Sequence, residues 1–368
     1  MAKLESRAPT PSLFPILPQQ PAGIARLAAE AVHTDDGHLI EFRALTVRSV
    51  LNRSTSKRGL RFAYSINPYR GCEFGCRYCY ARYTHEFMEL RDPASFERII
   101  FLKQNAAWLL TQELRHIDRA EEIALGTATD PYQPIERRAR ITRSLLAVFS
   151  RESGYRLGIV TKSKLIERDI DLLQQIARHN SLTVHITITT EDARLARLLE
   201  PRAPRPDLRF EAVRRLRDAG LRVGVLCCPL LPGITDSEEA LDGMARRAAE
   251  AGACFFAANP LFLKPCSRPT YLSFVREHFP ALEADYEKRY GHADFVAKPY
   301  REQMARIVDR VCRRYGLGRR SVGEMMTGVT PPGVEHLPLE AISQPDHEHA
   351  PRKPQASAGA MQQRLFAS

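Results

Sequence analysis

The 368-residue sequence has no apolar run long enough to cross a bilayer, which excludes a helical membrane protein and predicts no membrane partner. Its proline-rich start, MAKLESRAPTPSLFPILPQQP, lacks the charged-then-apolar plan of a secretory signal, so the expected location is cytoplasmic. Cysteine is sparse, with eight in all and three of them crowded into positions 72–79. That distribution fits a reducing compartment and excludes a disulfide scaffold. Acidic residues are outnumbered, 43 against 54 lysines and arginines, for a net charge of +11 and a pI near 9.4. Such a balance favours a polyanionic partner such as nucleic acid, although no dense basic stripe says where it would bind. What is plentiful is core material: 44% of the residues are hydrophobic, enough for one large catalytic domain with appendages.

The chain is organised around Asn67-Pro68-Tyr69-Arg70-Gly71-Cys72-Glu73-Phe74-Gly75-Cys76-Arg77-Tyr78-Cys79-Tyr80. Cys72, Cys76 and Cys79, spaced C-x3-C-x2-C on a glycine-bent loop, can present three thiolates to a 4Fe-4S cluster that ordinarily takes four. One iron is left open to a small chelating ligand, an arrangement suited to catalysis rather than electron storage. The competing readings are a zinc knuckle or buried thiols. A zinc site would need a fourth ligand at short spacing, and His85 is the nearest candidate. This stretch resembles the radical S-adenosylmethionine (SAM) superfamily. The resemblance implies that SAM chelates the fourth iron and is cleaved by an electron from an external donor to give a 5′-deoxyadenosyl radical. It also implies that Tyr78 lies against the adenine.

Strand-type runs alternate with helical ones along the core. The run at 61–66 ends just before the cysteine loop, and others fall at 123–127, 157–161, 183–188, 222–226 and 254–258. Helical stretches include 166–179 and 208–219, the latter closed by Gly220. The alternation predicts an α/β fold with a parallel sheet, a partial (β/α)6 TIM-type barrel of the radical SAM kind. Residues 1–37 read as a mobile lead-in, 38–271 as the core, 272–330 as a helical C-terminal cap, and 331–368 as a disordered tail.

In parallel barrels chemistry gathers at the carboxyl ends of strands. After the second strand, Thr129 and Asp130 could accept hydrogen bonds from the SAM ammonium; an Asp-Pro turn is the plainer reading. After the third, Lys162 should face an anion such as the SAM carboxylate, or else pair with Asp130 or reach solvent, and Ser163 could bind a ribose hydroxyl. After the fourth, Arg202 and Arg209 could clamp a carboxylate or phosphate, or pair with Glu200. After the fifth, the resemblance implies that Leu231 and Gly233 wall the adenine. Cys227 and Cys228 read as core, since neighbouring side chains point to opposite faces of a strand.

Taken together, the cysteine loop, Thr129-Asp130-Pro131, Thr161-Lys162, Glu200-Pro201-Arg202 and Pro229-Leu230-Leu231-Pro232-Gly233 resemble the spore photoproduct lyase-like, or DNA repair photolyase-like, family. The resemblance implies a lyase acting on DNA. It also implies a hydrogen-donating cysteine at the second strand end, where this chain has Thr127-Ala128 instead; Tyr132 or a cysteine from elsewhere could substitute. In the tail, Gln362-Gln363-Arg364-Leu365-Phe366 resembles the peptide by which bacterial repair proteins dock to the sliding clamp, two apolar anchors beside a hydrogen-bonding Gln. The rival functions are a radical SAM enzyme modifying a peptide, RNA or small molecule, and a non-catalytic iron-sulfur protein that binds DNA as a redox sensor.

Overall fold

Six strands pair side by side in parallel in the computed structural model, which describes residues 22–31, 33–37, 40–54 and 62–319. They are β1 (Phe62–Ile66), β2 (Glu122–Leu125), β3 (Arg156–Thr161), β4 (Ser181–Thr187), β5 (Val223–Leu230) and β6 (Phe255–Pro260). Their order in the sheet is their order in the chain, which right-handed βαβ connections produce. Leu51–Arg53 joins the β1 edge antiparallel, and a short β7 (Gly318–Arg319) joins β6 parallel. Among the described residues the two edges do not pair, so the sheet is a partial barrel.

Side-chain alternation gives the sheet two faces. Leu157 and Ile159 of β3, Val184 and Ile186 of β4, and Val223 and Val225 of β5 join the large core under the helices. Val160, Leu226, Phe255 and Ala257 meet on the other face with Cys228. The helix side is covered by α1 (Ala106–Glu113), α2 (Ile141–Phe149), α3 (Ile170–His179), α4 (Pro206–Asp218) and α5 (Glu238–Glu250). Their ends are written in the sequence. Pro206 opens α4 at a position where its missing N–H costs nothing, and Ser237 caps α5 by accepting from Ala240 N at 3.1 Å.

Three more helices follow: α6 (Arg268–His278), α7 (Glu283–Tyr290) and α8 (Lys298–Arg314). Tyr271 and Phe274 of α6 and Tyr286 and Tyr290 of α7 pack in one cluster with Cys72, Phe74 and Cys76. By contrast, Met304, Ile307, Val308 and Val311 of α8 enter the large core, and α8 lies against β6. The apolar stripes of all three were visible in sequence, but α6 and α7 cover the cysteine loop while α8 completes the helical layer of the barrel.

A second sheet joins His33–Gly37, Ile40–Leu45, Ile99–Lys103 and Tyr69–Arg70. Its last strand leads directly into the cysteine loop. The Gln362–Phe366 peptide and the rest of the tail lie outside the described residues.

Candidate functional site

Gly71 turns the chain out of the second sheet with φ 84°, and a Cβ there would stand 2.8 Å from the carbonyl oxygens of both Phe96 and Ile99. Only glycine fits so close to two backbone groups. The loop it begins is pinned from several sides: Cys72 N donates to Phe96 O at 2.9 Å, Arg77 N to Leu199 O at 2.9 Å, and Ser267 Oγ to Cys79 O at 2.7 Å. Glu73 adds a further tie, its N–H donating to Gln133 Oε1 at 2.9 Å and its carboxylate accepting from Ile135 N at 2.6 Å.

All three cysteines are free thiols; Cys72 and Cys76 are buried and Cys79 is half-buried. Burial pushes each thiol up, Cys76 to about 12, and the neighbouring sulfurs raise Cys72 further. Lys162 pulls Cys76 and Cys79 back down, and the Asp130 N–H hydrogen-bonds Cys72. Three sulfurs that resist ionisation alone, two of them with a cation beside them, fit a site where iron replaces the protons.

Among the described residues no three His, Cys, Asp or Glu side chains converge closely enough to hold a single ion. The motif supplies three thiolates and no fourth Cys or His at short spacing, a donor set that fits a 4Fe-4S cluster with one open iron better than a closed zinc site. His85 is engaged elsewhere. Its ring packs against Phe96 and Phe101, with Nε2 3.0 Å from Ile99 O, and burial lowers it to about 4.

The strand ends meet in a ring around this loop. Asn67, after β1, accepts from Ala128 N at 2.8 Å and Thr129 N at 3.3 Å, beyond β2. Asp130 accepts from Thr161 Oγ1 at 2.6 Å, Lys162 N at 2.7 Å and Tyr132 N at 2.9 Å, which ties β2 to β3. Lys162 Nζ lies 4.0 Å from Glu200 beyond β4, and Thr189 Oγ1 lies 3.3 Å from Cys228 O on β5. Leu261 N donates to Leu230 O at 2.8 Å, joining the ends of β6 and β5, and Ser267 returns the ring to Cys79.

The expected site residues fall on this ring in different ways. Thr129 donates to Gly71 O at 2.6 Å and accepts from Gln133 Nε2 at 3.0 Å, so its hydroxyl steadies the loop. The Lys162 ammonium lies 5.7 Å from the centre of the Tyr78 ring. Burial works against its charge, but Cys76 and Glu200 outweigh this and raise it. Ser163 Oγ caps the turn after β3 by accepting from Leu165 N at 3.2 Å, leaving its proton to donate. Leu231 is fully buried in the cluster holding Cys72 and Cys76, whereas Gly233 is exposed in a turn where its N–H meets Asp236 Oδ1 at 2.7 Å.

Glu200 is the residue the sequence reading undervalued. It is buried, accepts from the Tyr78 hydroxyl and from Thr189 Oγ1 at 2.9 Å, and is ion-paired with buried Arg209. Of the two candidate arginines, Arg209 is therefore committed to Glu200. Arg202 turns instead to the Glu73 carbonyl and to Glu97 at 3.3 Å. Tyr132 is wholly buried in the helix-side core near Asp169 and Glu136, which removes it as a hydrogen donor at the strand ends. Asn67, Gln133, Thr189 and Ser267 are further positioning residues; only Asn67 had a signal, its place in the cysteine motif.

A parallel (β/α) sheet whose first strand end carries three cluster-spaced cysteines, encircled by the other strand ends, defines a radical SAM domain. The sequence matches the radical SAM superfamily over residues 66–244, and the chain belongs to that superfamily: it is a radical SAM enzyme whose cofactors are a 4Fe-4S cluster and SAM. It is 33% identical over 279 residues to an uncharacterised protein of Mycobacterium bovis, covering 76% of this chain and 82% of that one. An uncharacterised protein of Methanocaldococcus jannaschii is 30% identical over 175 residues, 48% of this chain and 63% of its own. Among solved structures, a spore photoproduct lyase variant with bound AdoMet and dinucleoside spore photoproduct superposes with a TM-score of 0.58 at 18% identity, covering 76% of this chain and 80% of that chain. That likeness is one of fold. Among the described residues no helix is long and apolar enough to cross a membrane.

Proposed function

We propose that this radical SAM enzyme acts on DNA, abstracting hydrogen from a damaged or modified nucleotide, with Cys72, Cys76 and Cys79 holding the cluster. The chemistry that cluster and SAM supply when bound is a one-electron cleavage of the sulfonium, which yields a carbon-centred oxidant for hydrogen abstraction. The chain's own residues bind and orient. Lys162, whose nearest carboxylate is 4.0 Å away, offers its ammonium to the SAM carboxylate. Asp130 spends three acceptor sites on the strand ends and keeps lone-pair capacity for the SAM ammonium. Tyr78, held by Glu200 and Thr189, and Leu231 supply apolar surface for the adenine, with Gly233 turning the chain beyond it. Ser163 donates its remaining proton to a ribose hydroxyl.

The observation that carries the DNA half is the shared fold with an enzyme solved with a dinucleoside bound, over three quarters of both chains. The net charge of +11 adds to it. The second strand end has Thr127 and Ala128 and no thiol, so any hydrogen returned to the product comes from another group, such as a cysteine from elsewhere in the chain.

The test is turnover of SAM by the reconstituted full chain with single- and double-stranded oligonucleotides, irradiated and not, and with peptide pools, reading 5′-deoxyadenosine and substrate mass together. DNA-stimulated turnover with a mass change in the oligonucleotide supports the reading. Stimulation by peptides alone contradicts it.

A further inference from the structure

A cavity of about 190 Å³ opens beside the second sheet; none of the three cysteines lines it, and its walls include Arg48, Arg70 and Lys103. Arg70 pairs with Phe101 across the antiparallel ladder, and Lys103 follows Phe101 by two residues, on the same face. Lys103 is only 3% exposed. The Nε of Arg70 is buried and accepted by no described residue. Among the described residues neither cation has a carboxylate at ion-pair distance. The acid that acts on Lys103, Glu113, accepts from Val50 N at 3.1 and 3.2 Å and from Leu51 N at 2.7 Å.

Burial lowers Lys103 to about 7; the Arg70 guanidinium depresses it further and Glu113 opposes this. Two cations forced together in one buried wall are costly unless something anionic completes them. The neutral side-chain donors lining the cavity are already used: Ser49 Oγ donates to Leu51 O at 3.0 Å, and Asn52 Nδ2 to Val50 O and Ser65 O at 3.3 and 3.2 Å. What remains is a forked guanidinium, a point ammonium and the exposed Arg48. That set matches a compact, multiply charged oxyanion better than a single carboxylate.

We propose that this cavity is a phosphate-binding site, taking either a free phosphate compound or a backbone phosphate of a nucleic-acid strand. It is separate from the thiols and does not depend on what the enzyme's substrate is.

Calorimetric titration of the reconstituted full chain with inorganic phosphate in chloride buffer tests it. Wild type binds one phosphate per chain, and Lys103→Met binds it at least about tenfold more weakly, the loss expected for one charged hydrogen bond. Arg48→Ala, at an exposed position, weakens binding in the same direction and serves if Lys103→Met does not fold. No phosphate binding by wild type, or binding unchanged in both variants, overturns the proposal. Competition then separates the sources. If phosphate displaces a single-stranded oligonucleotide from wild type, the site takes strand phosphate; if both bind without interference, it takes a free phosphate compound.

Discussion

The Tyr78 hydroxyl, on the cysteine loop, donates to the buried carboxylate of Glu200, 122 positions further along the chain. Through that bond a residue between the second and third cysteines of the loop is fixed to the segment after the fourth strand, at the end of the short helix Ala193–Leu199. Glu200 in turn is held by Arg209 and Thr189 and is the nearest anion to Lys162. One carboxylate thus sets the position of an aromatic ring and a cation that both face the thiols.

Replacing Glu200 with Ala leaves Arg209, 1% exposed, as an unpaired buried charge. The expected loss is about 3–5 kcal/mol of stability, the usual cost of breaking a buried pair from one side. Glu200→Gln, which still accepts from Tyr78, loses less. Chemical denaturation of the three proteins in parallel checks both the size and the order.

Lys162→Met removes the ammonium beside Cys76 and leaves the thiols themselves intact. The expected result is an unchanged iron content with KM for SAM raised about tenfold or more, since a charged hydrogen bond to the carboxylate is worth about 1.5–3 kcal/mol. Lys162→Arg recovers part of the affinity. A loss of iron with no change in SAM binding would assign the lysine to the cluster instead.

Gly71→Ala puts a Cβ against two backbone carbonyls in a region of φ that alanine avoids. A cost of more than about 1 kcal/mol is expected. Because the shift falls one residue before Cys72, reconstituted iron should drop as well. Metal analysis and thermal melting read the two effects separately.

His85 makes the fold sensitive to acid. Burial holds the folded ring at about 4, below the ordinary 6.5. Between those values the unfolded chain takes up a proton that the folded chain does not, so stability falls as the pH drops from 6.5 to 4 and levels off below. The loss attributable to this ring is about 3 kcal/mol. In His85→Gln, which cannot titrate, this part of the slope disappears from denaturation curves measured across the window.

How far the sequence revealed this depended on how local each signal was. The parallel strands announced themselves because runs such as Leu157–Thr161 are short, apolar and bounded by turns. The second sheet did not, because Tyr69–Arg70 is only two residues long and Ile99–Lys103 gains its meaning from partners at Ile40–Leu45. Helix α8 showed its apolar face but not what the face would meet. In the site, the cysteines were legible from spacing alone, whereas the role of Glu200 is made by Tyr78, Thr189 and Arg209, which only folding brings together. Thr129 and Asp130 were found by position, yet much of their hydrogen-bonding capacity goes to holding strand ends.

The central claim is that the three-cysteine loop drives SAM cleavage in the service of DNA chemistry. The most direct measurement is anaerobic: reconstitute wild type and Cys76→Ala, add SAM and a strong reductant with and without damaged DNA, and quantify 5′-deoxyadenosine. The account predicts product from wild type only, increased by DNA. Equal product from Cys76→Ala, or a wild type with intact cluster that forms none even with DNA, would contradict it.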